Sequence, residues 1–91
     1  MFTNELVIKI NDNRSKRDAV RESRDIVSRK LDEAFNSIMA LDLDSDNFEI
    51  EHARLNGQHT ILSELYCDLT SKLAGLVEES KGLLNQAYKN N

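Results

Sequence analysis

Two histidines and one cysteine, His52, His59 and Cys67, are the side chains of this sequence best suited to bind a transition metal. On a helix, the seven-residue spacing of His52 and His59 places them on one face but about 10 Å apart, too far to share one zinc ion. Cys67 has neither a second cysteine at CxxC spacing nor a histidine one turn away. We therefore predict no metal site and interpret Cys67 as a small packing residue, with a reactive thiol as the alternative.

Asp42, Asp44 and Asp46 alternate as the first ligands of a calcium-binding loop do. The twelfth position counted from Asp42 is Ala53, however, where such a loop needs a bidentate glutamate, and the eighth is the charged Glu49. Since the strongest ligand is missing, we interpret this cluster as an acidic, solvated turn.

Catalytic motifs are absent from the sequence. It contains no Ser/His/Asp order, no HExxH, no glycine-rich phosphate loop and no dinucleotide-binding fingerprint. We expect a protein that is not an enzyme, with no catalytic residue, no cofactor and no metal.

A basic segment at residues 14–30 carries seven Lys and Arg against three Asp and Glu. Arg14, Arg17, Arg21 and Arg24 follow a 3-4-3 spacing, which places them on one helix face as a possible basic contact surface. The alternatives for this face are pairing with the acidic second half of the chain, or docking on structured RNA, DNA or an acidic protein.

The stretch Ala19-Val20-Arg21-Glu22-Ser23-Arg24 resembles the basic region of basic-leucine-zipper proteins. That resemblance implies duplex DNA as the ligand, read by a helix that continues directly into a zipper. The sequence departs from the family's pattern in three ways, the first being that Glu22 and Asp25 would face the phosphates. Lys16 stands where the base-reading asparagine would be, and the heptad leucines come only after a turn.

Length and composition limit the protein classes to consider. The chain has 91 residues, a net charge of −4 and a single cysteine, which indicates one domain in a reducing compartment and hence a cytoplasmic protein. No apolar run approaches the ~20 residues of a membrane span, so we expect neither a membrane segment nor a signal peptide.

The first half of the chain repeats apolar residues at intervals of three and four, which is typical of a helix with one packed face. The pattern is strongest from Val20 to Leu41, and residues 1–12 are open to interpretation as a helix extension, a frayed arm or a short strand. We predict helix one at about 13–41 and a turn at 42–47, with Ser45 or Asp46 as the N-cap of helix two. The whole pattern, called the α1 seam below, comprises Leu6, Ile10, Asn13, Arg17, Val20, Arg24, Val27, Leu31, Ala34, Ile38 and Leu41.

The second half has a leucine at every seventh position, and we predict one helix over about 48–88. Asn56-Gly57 could break it, but the leucine register continues through this dipeptide, and we interpret Gly57 as permitting close approach of a partner backbone. Leu65, Val77 and Leu84 widen the apolar stripe. The repeating positions, called the α2 seam below, are Leu55, His59, Leu62, Tyr66, Leu69, Leu73, Leu76, Ser80, Leu83 and Ala87.

Two such helices joined by a short turn must lie antiparallel, which predicts an all-α, coiled-coil-like helical hairpin forming a single domain over residues 1–91. Folding about the turn brings Ala34 near Leu55 and Val20 near Leu69. Arg24 and Arg17 are expected near Glu64 and Asp68, respectively.

A lone hairpin leaves apolar residues wet, so we expect a homodimer forming a four-helix bundle. The predicted interface comprises Val20, Val27, Leu31, Ile38, Leu55, Leu62, Leu65, Leu69, Leu73, Leu76 and Leu83. In size and architecture this hairpin resembles the RNA-binding copy-number regulators of some plasmids, and its motif-free character resembles bacteriophage or plasmid accessory proteins.

These features predict a non-enzymatic protein–protein interaction module, an adaptor, inhibitor or regulator that binds itself and an unidentified protein. The alternative is a small dimeric nucleic-acid-binding regulator that uses the four arginines on structured RNA or DNA.

Overall fold

A computed structural model describes residues 3–89 as two long helices, α1 (Asn4–Met39) and α2 (Phe48–Lys89), packed antiparallel along their length. The molecule measures 69 × 14 × 14 Å. The predicted all-α helical hairpin is confirmed. Met1 and Phe2, which belong to the segment of uncertain conformation, lie outside the described residues.

The first turn of α1 is capped by Thr3. Its Oγ1 accepts a hydrogen bond from the Leu6 N–H at 3.1 Å, and its carbonyl accepts from the Val7 N–H at 3.0 Å. This cap satisfies amide groups that a helix start otherwise leaves unpaired. Residues 4–12 therefore extend the helix, and of the three conformations considered for them neither the strand nor the frayed arm occurs.

The connection between the helices consists of two successive hydrogen-bonded turns. Asp42 Oδ1 accepts from the Asp44 N–H, and the Asp42 carbonyl accepts from the Ser45 N–H. Ser45 repeats the arrangement, with Oγ accepting from the Asn47 N–H and the carbonyl accepting from the Phe48 N–H. Short polar side chains thus replace helical bonds, as their composition predicts.

The contact face of each helix coincides with its predicted seam. In α1 and the residues just after it, the buried or half-buried positions between Leu6 and Leu41 are the α1 seam and, in addition, Ser28. In α2 every α2 seam position is buried or half-buried, together with Phe48, Glu51, Ser63 and Val77. Helix packing at this 3-4 spacing is the coiled-coil arrangement.

Two observations define the register of the helices. Asn13 Nδ2 donates a hydrogen bond to the Leu76 carbonyl at 2.9 Å, and Ala34 and Leu55 line the same groove. Asn13 and Leu76 each lie one heptad beyond the expected neighbours Val20 and Leu69. The register therefore agrees with the pairing expected from folding about the turn.

The expected cross-helix pairs, Arg24 with Glu64 and Arg17 with Asp68, do not form. Within residues 3–89 all five ion pairs join residues three or four apart on one helix. Such neighbours are already in reach on a helix surface. The Arg17 Nε is instead buried without a hydrogen-bond partner.

Gly57 has no close backbone neighbour within the hairpin. Helix α2 continues through Asn56-Gly57, and no atom lies within 4 Å of the position that a Cβ on Gly57 would take. Within the described residues, therefore, no backbone approaches this glycine closely enough to require it.

Candidate interaction surface

The hairpin has a very small interior. Among residues 3–89 seven are buried, namely Leu6, Asn13, Val20, Val27, Ala34, Leu55 and Ala87. The chain exposes 6821 Å² of accessible surface, whereas a compact monomer of 10.4 kDa exposes about 5,400 Å². Two helices cannot enclose a core by themselves, so much of the seam remains partly open to solvent.

Most residues predicted for a dimer interface lie in the contact between α1 and α2. Val20, Val27 and Leu55 are buried there. Leu65 alone is exposed. The other seven residues are half-buried, namely Leu31, Ile38, Leu62, Leu69, Leu73, Leu76 and Leu83.

An open groove of about 460 Å³ runs between the helices toward the turn. Ala34 is small and leaves space at its floor, beside Leu55 and Leu62. Ile61 forms one edge and is 66% exposed. The charged rim is provided by Lys30 and Glu33. This groove offers apolar contact at its floor and polar contact at its rim.

Further apolar side chains lie near this groove along the same side of the hairpin. Ile26 precedes the rim residue Lys30 by one helical turn, and Leu65 follows Ile61 by one turn. Both side chains are exposed. Leu65 belongs to the interface predicted from sequence and Ile61 does not, although Ile61 lies four residues before Leu65 on the same face of α2.

The four arginines of the predicted basic face do not present their charges equally. Arg14 and Arg21 are exposed, whereas Arg17 and Arg24 are half-buried at the α1 seam. Arg21 also lies 3.6 Å from the Asp18 carboxylate. An acidic residue therefore accompanies Arg21, and the outward charge of this face is smaller than the 3-4-3 spacing suggests.

A polar layer interrupts the apolar contact between the helices at Asn13 and Arg17. Asn13 is 1% exposed and its Oδ1 has no hydrogen-bond partner. The buried Arg17 Nε, one turn further along α1, is likewise unpaired. Buried polar atoms of this kind cost stability and restrict which neighbours can pack against them.

The candidate metal ligands remain separate from one another. His52 stacks on Phe48 with ring centroids 5.5 Å apart, and Cys67 is exposed. Cys67 therefore does not pack between α1 and α2, contrary to the interpretation from sequence. The part of the chain from residue 3 to 89 holds no group of three or more His, Cys, Asp or Glu placed to bind a metal ion.

The clearest electrostatic perturbation lies at the surface of α1. Asp12, whose carboxylate is 3.0 Å from Lys16 Nζ, raises the pKa of that ammonium by a hydrogen bond and by its charge. Both side chains are exposed, so the pair contributes to the charge pattern of the helix rather than to a reactive site.

Comparison with protein-family models, with curated proteins and with solved structures finds no match to this chain. Neither described helix is long and apolar enough to cross a bilayer.

Proposed function

We propose that this chain is a non-enzymatic interaction module that self-associates and binds a partner protein through its exposed apolar surface. The observation that carries the proposal is the mismatch between the surface and the core. The accessible surface is about 1,400 Å² larger than that of a compact chain of this mass, and stable interfaces bury about 800 Å² per partner.

The groove beside Ile61 is the proposed site for the partner protein. Its floor of Ala34, Leu55 and Leu62 is apolar, and its rim carries both a cation and an anion, Lys30 and Glu33. An amphipathic helix that inserts an apolar side chain and places polar residues at the rim fits this chemistry. Ile61 is 66% exposed at the edge of this groove, so its side chain is accessible to a partner.

Affinity capture from the host's own lysate, with and without nuclease, tests this proposal. We expect wild-type protein to retain a stoichiometric protein partner after nuclease treatment, and Ile61→Asp to lose it. Ile50→Asp is the matched control, because Ile50 is 69% exposed and lies outside the groove. Equal capture by all three proteins, or no stoichiometric protein at all, would overturn the proposed use of the groove.

The alternative proposal is a nucleic-acid-binding regulator, supported by the exposed Arg14 and Arg21. Binding of this kind weakens steeply with salt, because each phosphate contact releases counterions. Nucleic acid that co-purifies with the wild type and is lost in about 0.5 M salt, or with Arg14→Ala, would favour this alternative.

A further inference from the structure

The hairpin has two lateral sides, one on each flank of the contact between the helices. Two grooves lie on the first side. Lys30, Ser37 and Gln58 line one of them, and Lys9 and Gln86 line the other. Each of these residues directly precedes a seam residue, as Lys9 precedes Ile10. In an antiparallel pair, residues that directly precede a seam position lie on one side of the hairpin, called the groove side here. Residues that directly follow a seam position lie on the opposite side.

On the opposite side, α2 presents a long row of uncharged residues. They recur at the 3-4 spacing of a helix face, and the row holds no Asp, Glu, Lys or Arg from Ala53 to Val77. Ser63 and Val77 are half-buried, which is consistent with a row flanking the seam. One charged residue, Lys81, interrupts the row between Val77 and Leu84. This neutral row consists of Ala53, Asn56, Thr60, Ser63, Cys67, Thr70, Ala74, Val77, Leu84 and Tyr88.

On the same side, α1 presents a row of alternating charges, Arg14, Asp18, Arg21 and Asp25, all exposed. Asp18 and Arg21 pair with each other at 3.6 Å. Arg14 and Asp25 make no ion pair among the described residues. When this charge row is read in the reverse direction, every sign is inverted. The charge row is therefore complementary to an antiparallel copy of itself.

The two rows share one centre. The charge row is centred between Ala19 and Val20, since Arg14 and Asp25 lie equally far from that point, as do Asp18 and Arg21. In the neutral row Cys67 and Ala74 share a midpoint with Ala53 and Tyr88, within half a residue of Thr70. The Asn13–Leu76 register places Val20 level with Leu69, so the two centres lie within about one residue of the same height in the hairpin.

We propose that a second copy of this chain docks on this side about a two-fold axis perpendicular to the helices, passing at the level of Val20 and Thr70. Each α1 then lies antiparallel to the α1 of the second copy, and Arg14 meets its Asp25. Each α2 lies antiparallel to the other α2 through the neutral row. The two turns lie at opposite ends of the resulting four-helix bundle, and the groove sides remain free.

The large side chains at the two ends of this side support the same arrangement. Phe35 and Met39 lie near the turn, and Val7, Leu84 and Tyr88 lie near the open end, all exposed. The two-fold axis brings the turn end of one copy onto the open end of the other, so Phe35 and Met39 come level with Leu84 and Tyr88 of the second copy, whereas Val7 lies opposite Asp32. Asp32 is the one charged residue on this side of α1 that meets no opposite charge.

A bundle with both turns at one end is disfavoured by charge. That arrangement would place the charge row of α1 on the neutral row of the other copy's α2. Arg14 and Asp25 would then lose solvent without gaining a partner, which is costly. The antiparallel arrangement instead supplies each of them with an opposite charge.

Charge reversal tests this dimer, which rests on the self-association in the proposed function. Arg14→Glu and Asp25→Arg each place like charges together twice per homodimer, so we expect the dimer dissociation constant to rise on the order of tenfold in analytical ultracentrifugation. An equimolar mixture of the two variants restores opposite charges at both contacts. We expect it to form heterodimers at least as tight as the wild type.

Lys30→Glu is the matched control, because it reverses an exposed charge on the groove side. Helicity by circular dichroism should be unchanged in all variants. If Lys30→Glu weakens the dimer and the other two do not, copies associate through the groove side and this inference is wrong while self-association stands. A wild type that is monomeric at all concentrations would overturn both.

Symmetric cross-linking locates the two-fold axis directly. In a Cys67→Ser background, we expect Thr70→Cys to form a disulfide-linked dimer, since each new thiol lies beside its own copy at the axis. Asn56→Cys is the control on the same row, because its copy would lie about 40 Å away. Cross-linking of both variants, or of neither, would contradict the antiparallel arrangement.

Discussion

Asn13 donates a hydrogen bond from its side-chain amide across the hairpin to the main-chain carbonyl of Leu76, with 2.9 Å between Nδ2 and the oxygen. It is the one polar residue fully buried among residues 3–89, and its Oδ1 has no partner. A half-satisfied amide at a packed position favours one helix register at the expense of stability.

Asn13→Leu is therefore expected to stabilise the hairpin by about 1–2 kcal/mol, because it removes an unsatisfied buried acceptor and adds apolar contact. Urea unfolding at a fixed protein concentration measures the change. A destabilised variant would mean that the Asn13 amide stabilises the hairpin by more than its one hydrogen bond to the Leu76 carbonyl accounts for.

Asn13→Asp is expected to lower stability by about 2 kcal/mol or more at neutral pH, since a buried carboxylate cannot donate to the Leu76 carbonyl. Burial raises the pKa of a carboxyl group, so the loss should be present above that raised pKa and diminish as the pH falls through it. Unfolding midpoints between about pH 4 and pH 8, a window that extends upward from the ordinary carboxyl pKa, measure this; a pH-independent loss would contradict it.

Leu62→Asp with Leu69→Asp is expected to unfold the chain or dissociate its dimer. Both leucines are half-buried in the contact with α1, and two charges there have no partner. Ser71→Asp with Asn85→Asp is the control, since it adds equal charge at exposed positions of α2. Circular dichroism and ultracentrifugation report the outcome, and a folded dimer in the first variant would refute the α2 seam.

Gly75→Ala is expected to stabilise α2 by about 1 kcal/mol, because alanine is the better helix former and a Cβ at this position meets no atom within 4 Å. Thermal unfolding measures the shift, with unchanged mass in ultracentrifugation as the check on assembly. A decrease in stability would indicate that another chain packs closely against Gly75.

Thr3→Ala is expected to cost about 1 kcal/mol, since it removes the hydroxyl that caps α1. Hydrogen exchange should accelerate at the amides of residues 4–8 and stay unchanged near the turn. Thr60→Ala is a suitable control, because the Thr60 hydroxyl bonds within α2 and caps no helix. Equal effects of both changes would mean that the cap does not stabilise α1.

The helices and their contact faces were predictable because their period is explicit in the sequence. Leucines seven residues apart lie on one face of a helix, and the Asp42–Asn47 cluster favours turns by its side-chain chemistry. The conformation of residues 4–12 was not predictable, because Leu6, Val7 and Ile8 suit both helix and strand, and the Thr3 cap that accompanies the helix is a single hydrogen bond.

The surface was harder to predict because it depends on the relative sizes of the side chains that face each other across the helices. The groove exists because Ala34 lies near Leu55 and Leu62, a consequence of register rather than of any motif. The expected pairs of Arg17 and Arg24 across the helices do not form, because both residues lie half-buried at the α1 seam, where the Arg17 Nε has no hydrogen-bond partner.

The hairpin topology also determines how the molecule responds to force. Facing residues are close in the chain beside the Asp42–Asn47 turn and far apart toward the open end, where Asn13 and Leu76 are separated by 63 residues. Each layer formed outward from the turn closes a loop only slightly longer than the last, so its added entropic cost is small. Tension applied between Thr3 and Lys89 therefore separates the helices layer by layer, starting at the open end. The turn end is the last to separate.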